Sequence, residues 1–199
     1  MRKTAKTSYQ ICVSGAAKGK SVEEGQKLAF SAGVAIAKAG HMLLTGATTG
    51  LPHYAVLGAK SVGGRTVGIS PASSKIAHAK KYNLPTEGYD VILYTGLHYV
   101  GRDALLISSC DAVISIGGRI GTLHEFTVAM EMDKPIGFLM GAGGISDEIQ
   151  DIMRAAGKRK DEDVIFDDSP EVIVDRLTKL LNEDNHNYLD LYDLSLKGL

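Results

Sequence analysis

The chain has no tryptophan, only two cysteines and five prolines, and almost no net charge. Each shortage removes a class of protein. Two cysteines are too few for a disulfide scaffold, and Cys12 and Cys110 both sit in apolar segments, where buried reduced thiols are expected. The six histidines form no HxxxH or HxH cluster, so no metal site is expected. A net charge of −1 gives no electrostatic footprint for a nucleic-acid backbone. No apolar run reaches membrane-spanning length, and the basic Met1-Arg-Lys-Thr-Ala-Lys6 start lacks a following signal-peptide core. A cytoplasmic protein with no membrane partner is the expectation.

What remains is an ordinary globular composition with one excess. Of 199 residues, 44% are hydrophobic and 23% charged, values typical of a soluble domain. That length suits one well-buried domain over 1–199, with a core at about 9–182 and a C-terminal tail at 183–199. Glycine is the excess, at 23 residues, clustered at expected strand ends.

Short β-rich runs alternate with helical patterns. Tyr9–Gly15, His41–Thr45, Thr66–Ser70, Asp90–Tyr94, Asp111–Ile116, Pro135–Met140 and Val164–Phe166 read as strands. Helices are expected at 21–39, 52–63, 99–109, 122–132 and 169–182. A capping box at Ser21-Val-Glu-Glu24 opens the first of them and Gly40 stops it. Residues 71–89 are less regular and read as a surface excursion. The tail carries periodic apolar residues suited to docking on this subunit or a neighbour. The alternation predicts an α/β fold: a Rossmann-like, doubly wound, mainly parallel sheet with helices on both faces. Ligands in such folds bind beyond the carboxyl ends of the strands. Gly15, Gly46–Gly50 and Gly117–Gly121 all fall there.

The stretch Asp111-Ala-Val-Ile-Ser-Ile-Gly-Gly-Arg-Ile-Gly-Thr-Leu-His-Glu125 is the most informative. It reads as a buried strand, a glycine turn and a first helical turn, an arrangement whose free N–H groups and helix dipole favour a phosphate. Gly118, Arg119, Gly121 and Thr122 are the candidate phosphate ligands here. Gly15, Gly46, Thr48, Thr49 and Gly50 are candidates on the neighbouring turns. Glu125, one helical turn on, is the candidate catalytic acid, with His124 beside it. Thr122-Leu-His-Glu125 also fits a capping box, in which Glu125 bonds back to its own helix start. Arg102 lies near a helix start, a poor place for a cation in the helix dipole, so a ligand or carboxylate partner is expected. The turns are not the dinucleotide fingerprint: Ser14-Gly-Ala-Ala-Lys-Gly19 departs from GxGxxG, and no Walker-type GK[ST] follows. An ordinary NAD or ATP enzyme is disfavoured, and no cofactor is expected.

These residues resemble the Lonely Guy nucleotide phosphoribohydrolases and the wider superfamily sometimes mislabelled as lysine decarboxylases. That pattern places an arginine nine residues before an aspartate, then PGGxGTxxE. Arg102, Asp111 and Gly121-Thr122-x-x-Glu125 match its spacing, and Gly46-Ala-Thr-Thr-Gly-Leu51 resembles the upstream GGGxxGL turn. The resemblance covers about residues 9–182. It departs at Gly117 for proline, Arg119 for the second glycine and Asp103 for the usual lysine, changes closer to the branch that includes molybdenum cofactor carrier proteins. Nothing here supports a decarboxylase, which would need a lysine Schiff base to pyridoxal phosphate.

The resemblance implies cleavage of the N-glycosidic bond of a purine nucleoside 5′-monophosphate, with an AMP-like ligand as partner. Glu125 would stabilise the oxocarbenium-like ribose and act on the water, and Arg102 would orient the nucleotide. It also implies a homodimer or tetramer joined by helices near the crevice. Two other readings stand beside it. One is a carrier of molybdenum cofactor, or a sensor of a nucleotide-derived ligand, that needs no catalyst. The other is a single-stranded-DNA module, which the neutral charge and absent tryptophan disfavour.

Overall fold

The computed structural model describes residues 7–157 and 164–196, with side chains as far as residue 185. Seven strands form one sheet: β1 (Gln10–Gly15), β2 (Met42–Thr45), β3 (Arg65–Ser70), β4 (Val91–Tyr94), β5 (Ala112–Ile116), β6 (Ile136–Leu139) and β7 (Val164–Asp167). The helices are α1 (Lys20–Lys38), α2 (Leu51–Ser61), α3 (His98–Ser108), α4 (Ile120–Glu131), α5 (Ile149–Ala156) and α6 (Pro170–Leu196). The strand order is β4-β3-β2-β1-β5-β6-β7, and every pairing is parallel. The expected Rossmann-like fold is present.

Alternation along the central strands divides the core into two layers, as a sheet covered on both faces requires. Ile11, Val13, Ala112, Ile114 and Ile116 face a cluster with α1, α2 and α6. Cys12 and Val113 face the other cluster, with Leu106 of α3, Phe126 of α4 and Ile149 of α5. Both cysteines are free and buried. A contact with Cys110, then burial, pushes the Cys12 thiol well above its ordinary range. Helices α1 and α2 cross backbone to backbone. A Cβ at Gly33 would lie 1.8 Å from the Ala55 carbonyl oxygen, and one at Gly58 1.9 Å from that of Phe30.

The chain winds outward from β1 to β4, then returns to lay β5 on the free side of β1. This reversal is the topological switch point, where the two strand ends splay apart and leave a crevice. Ser14 and Gly15 of β1 stand opposite Ser115 and Ile116 of β5 at its base.

Several local expectations needed correction. Helix α1 starts at Lys20 with Gly19 as N-cap and no side-chain cap bond, so Ser21 lies inside the helix and forms no capping box. Residues 71–89 hold a π-helical turn at Ala77–Lys81. Helix α5 and the 3-10 turn Gly144–Asp147 were not expected. Helix α6 runs from Pro170 to Leu196 without a break at the expected tail boundary. The tail's docking residues lie beyond the described side chains.

Candidate functional site

The crevice at the switch point has a volume of about 220 Å³. Its floor is polar and buried. Arg102, in the second turn of α3, is 3% exposed, Asp103 5% and Glu125 9%. Arg102 Nη1 donates to Glu125 Oε1 at 3.1 Å and lies 3.3 Å from Asp103 Oδ1. Ser14 Oγ of β1 donates to the other Glu125 oxygen. His124 Nδ1 is 2.8 Å from Asp103 Oδ2. Helices α3 and α4 are therefore tied together by a run of polar side chains, His124, Asp103, Arg102 and Glu125, which ends on Ser14 of β1.

This settles the ambiguity over Glu125. Helix α4 begins at Ile120 with Arg119 as N-cap and no side-chain cap bond, so Thr122 and Glu125 form no capping box. The carboxylate instead points across the crevice to β1 and α3. Burial pushes its pKa above the ordinary 4.5; Arg102 opposes this, Asp103 adds to it, and the Ser14 and Arg102 hydrogen bonds oppose it. Arg102 has the carboxylate partner its helix position suggested. Its Nε–H is buried with no acceptor among the described residues, a donor left for a ligand oxygen or water.

The candidate ligand residues divide into two sets. Gly15, Gly46, Thr48, Arg119, Gly121 and Thr122 line the crevice with Arg102 and Glu125. Thr49, Gly50 and Gly118 do not, and each has a packing task. Thr49 Oγ1 donates to the Ala17 carbonyl at 3.1 Å. Gly50, at φ 77°, presses on the Ala16 and Ala17 backbone. Gly118, at φ 95°, backs directly onto Thr122 and accepts from Ile145 N–H at 3.0 Å. The 3-10 turn thus braces the glycine turn from behind. In front, Gly121 is exposed and a Cβ there would meet nothing within 4 Å. Among the described residues, no group of three or more histidine, cysteine or acidic side chains is placed to hold a metal ion. No described helix is long and apolar enough to cross a membrane.

The model of the SLOG cluster4 family matches residues 8–174. The chain belongs to that family. An uncharacterized protein of Archaeoglobus fulgidus is 34% identical to this SLOG cluster4 chain over 130 residues, covering 65% of it and 79% of the relative. Two solved structures share the fold along nearly their whole length. The molybdenum cofactor binding protein of Rippkaea orientalis superposes with a TM-score of 0.69 at 26% identity, covering 89% of this chain and 99% of its own. The molybdenum cofactor carrier protein of Chlamydomonas reinhardtii does so at 0.70 and 26%, covering 88% and 99%.

Three lining residues with polar side chains were not among the site residues expected from sequence: Ser14, Asp103 and Tyr99. Ser14 carried a faint signal, as a hydroxyl on the same strand face as Cys12, beside the glycine that ends the strand. Asp103 was visible only as a departure from the lysine of the Lonely Guy pattern. Its carboxyl group stands where that pattern has a cation, against the Arg102 guanidinium and His124.

Proposed function

We propose that this chain binds a purine nucleoside 5′-monophosphate in the switch-point crevice and hydrolyses its N-glycosidic bond to free base and ribose 5-phosphate. One observation carries the reading: Glu125 caps nothing and is held buried over the crevice floor by Arg102 and Ser14. A carboxylate is costly to bury, and the fold gains no helix cap from it.

The 5′-phosphate binds at the N-terminus of α4, against the turn amides, the Thr122 hydroxyl and the Arg119 guanidinium. That anchorage brings C1′ of the ribose to Glu125, one helical turn deeper. As the bond from C1′ to the base nitrogen breaks, its electron pair leaves with the base and positive charge grows on the ribose. Ionised Glu125 stabilises that charge, and water adds its oxygen to C1′. The water's proton passes through Glu125 to the departing base. Arg102 fixes the carboxylate and offers its free Nε–H to the ligand. The helices near the crevice join subunits into a homodimer or tetramer, a state that sedimentation would measure.

The test is incubation with AMP and related monophosphates, with base and ribose 5-phosphate separated by chromatography. Glu125→Gln keeps ligand binding and lowers turnover by about 10²- to 10⁴-fold. Equal turnover in the variant would remove Glu125 from the reaction.

Asp103 favours a second reading, a non-catalytic carrier of molybdenum cofactor or sensor of a nucleotide-derived ligand. It gives Arg102 two carboxylates to neutralise, and the carrier and binding proteins of Chlamydomonas and Rippkaea share the fold. Pterin fluorescence or molybdenum co-purifying with the protein, without turnover of any monophosphate, would select it.

A further inference from the structure

Among the described residues lining the crevice, Tyr99 is the one aromatic. It is 46% exposed. Its place relative to the floor is informative. Tyr99 lies three residues before Arg102 on α3, as Thr122 lies three before Glu125 on α4, and residues so spaced share a helix face. The Arg102–Glu125 bond joins the two helices. Their first turns therefore flank the buried pair, with phosphate-type donors on the α4 side and an aromatic ring on the α3 side.

The ring is held in place by neighbouring aromatic groups. Tyr82 packs edge-on against Tyr99, with centroids 5.7 Å apart at 69°. The Tyr82 hydroxyl is 2.6 Å from His98 Nδ1. His98 opens α3 at φ 58°, a left-handed conformation that a histidine adopts at a cost and that tends to mark functional sites. Its N–H donates to the Pro71 carbonyl at 3.1 Å. The excursion carrying Tyr82 is pinned in turn by fully buried His78, bonded to Ser70 Oγ at 2.8 Å and the Pro85 carbonyl at 2.9 Å. The irregular segment 71–89 thus fixes one half-exposed ring at the crevice wall. A rigid ring presented in this way offers a π-face to a planar ligand group with little ordering left to do.

We infer that Tyr99 is the stacking platform for the heterocyclic base of the ligand, positioned by Tyr82 and His98; the assignment rests on the nucleotide reading above. Stacking is tolerant of base identity, because every base presents a π-face. Tyr99 therefore separates a nucleotide from a bare sugar phosphate rather than one purine from another.

The experiment compares AMP with ribose 5-phosphate by titration calorimetry, in a Glu125→Gln background so that no ligand is consumed. Tyr99→Ala weakens AMP by about ten- to a hundredfold and leaves ribose 5-phosphate within about twofold of its parent. The chain has no tryptophan, so Tyr99→Trp supplies a sole tryptophan, which is excited apart from the tyrosines at longer wavelength and is quenched by AMP and not by ribose 5-phosphate. Equal loss of both ligands, with or without a change in sedimentation, would make Tyr99 a structural or subunit contact and overturn the inference. So would undiminished AMP affinity in Tyr99→Ala. If the parent binds ribose 5-phosphate and AMP no more tightly, the stacking role fails while the phosphate site stands. Binding of neither overturns the nucleotide reading together with this one.

Discussion

Two glycine turns border the crevice, Gly46–Gly50 after β2 and Gly117–Gly121 after β5, and glycine serves opposite purposes in them. In the first turn both glycines back onto protein. A Cβ at Gly46 would lie 2.1 Å from Arg102 Nη1, and one at Gly50 would lie 2.3 Å from the Ala16 carbonyl oxygen. Thr49 and Leu51 tie it to the loop after β1 through the Ala17 and Ala16 carbonyls. The second turn is braced behind and open in front, where Gly121 faces empty space. One turn uses glycine to let protein approach protein. The other leaves its outer face open at Gly121. A run of glycines in sequence looks the same in both cases, and only the position of the nearest atom separates them.

Arg102 joins the two turns, since Gly46 lies against its guanidinium and Glu125 of α4 accepts from it. Removing it should have the largest effect. Arg102→Ala leaves the Asp103 and Glu125 carboxylates buried without their cation, and breaking a buried pair in this way costs about 3–5 kcal/mol. Denaturant midpoints of variant and parent measure it. Arg102→Lys should recover only part of the loss, because an ammonium keeps the charge but lacks the planar guanidinium that packs against Gly46. A fall below about 1 kcal/mol in Arg102→Ala would mean that the turns do not depend on this link.

The same alanine substitution in each turn tests the contrast directly. Gly50→Ala should cost about 3 kcal/mol, because the Cβ meets backbone and the positive φ disfavours any side chain. Gly121→Ala should change stability by about 0.5 kcal/mol or less, since its Cβ meets no protein atom. It should weaken phosphate-bearing ligands about tenfold, by crowding one amide-to-phosphate hydrogen bond. Thermal melts with and without ribose 5-phosphate read both quantities. Strong destabilisation by Gly121→Ala, or full ligand affinity, would erase the distinction between the turns.

The sheet was legible because its signals are local: β-rich runs closed by glycine, with helical patterns between them. Those runs also placed the strand ends, and hence the three glycine turns. Helix starts were less legible. At Ser21 and Thr122 the residue pattern matched a capping box, yet backbone conformations at Gly19 and Arg119 start each helix earlier. Glu125 was reached from the strand, glycine-turn and helix pattern and Arg102 from its helix position, and the family spacing then matched both. The groups that hold them were not reached, because each contact depends on which faces of β1, α3 and α4 meet. Ser14 is 111 residues from Glu125 along the chain, and Asp103 is 21 from His124. Helix α5 sits in a stretch opened by glycines 141, 143 and 144, which reads as loop until the fold is in view.

The smallest expected effect is the most specific, because it isolates Asp103, the charge that departs from the Lonely Guy pattern. Burial holds the Glu125 pKa above 4.5 and Asp103 pushes it further up, while Arg102 and Ser14 draw it down. Since the proposed hydrolysis uses the ionised carboxylate, kcat/KM should fall on acidification at a pH above the ordinary carboxylate value of 4.5. Asp103→Asn removes an upward push, so the acid limb should move to lower pH while the plateau changes little. Stability runs with the opposite sign. A carboxyl with a raised folded-state pKa contributes stability fully below its ordinary value and loses it as pH rises through the folded value. Glu125→Gln cannot ionise, so its melting temperature should gain on the parent as pH rises through that window. His124 also bonds Asp103, so His124→Gln must accompany the series. An acid limb unmoved by Asp103→Asn but displaced by His124→Gln would show that the histidine, not the aspartate, sets the protonation of Glu125.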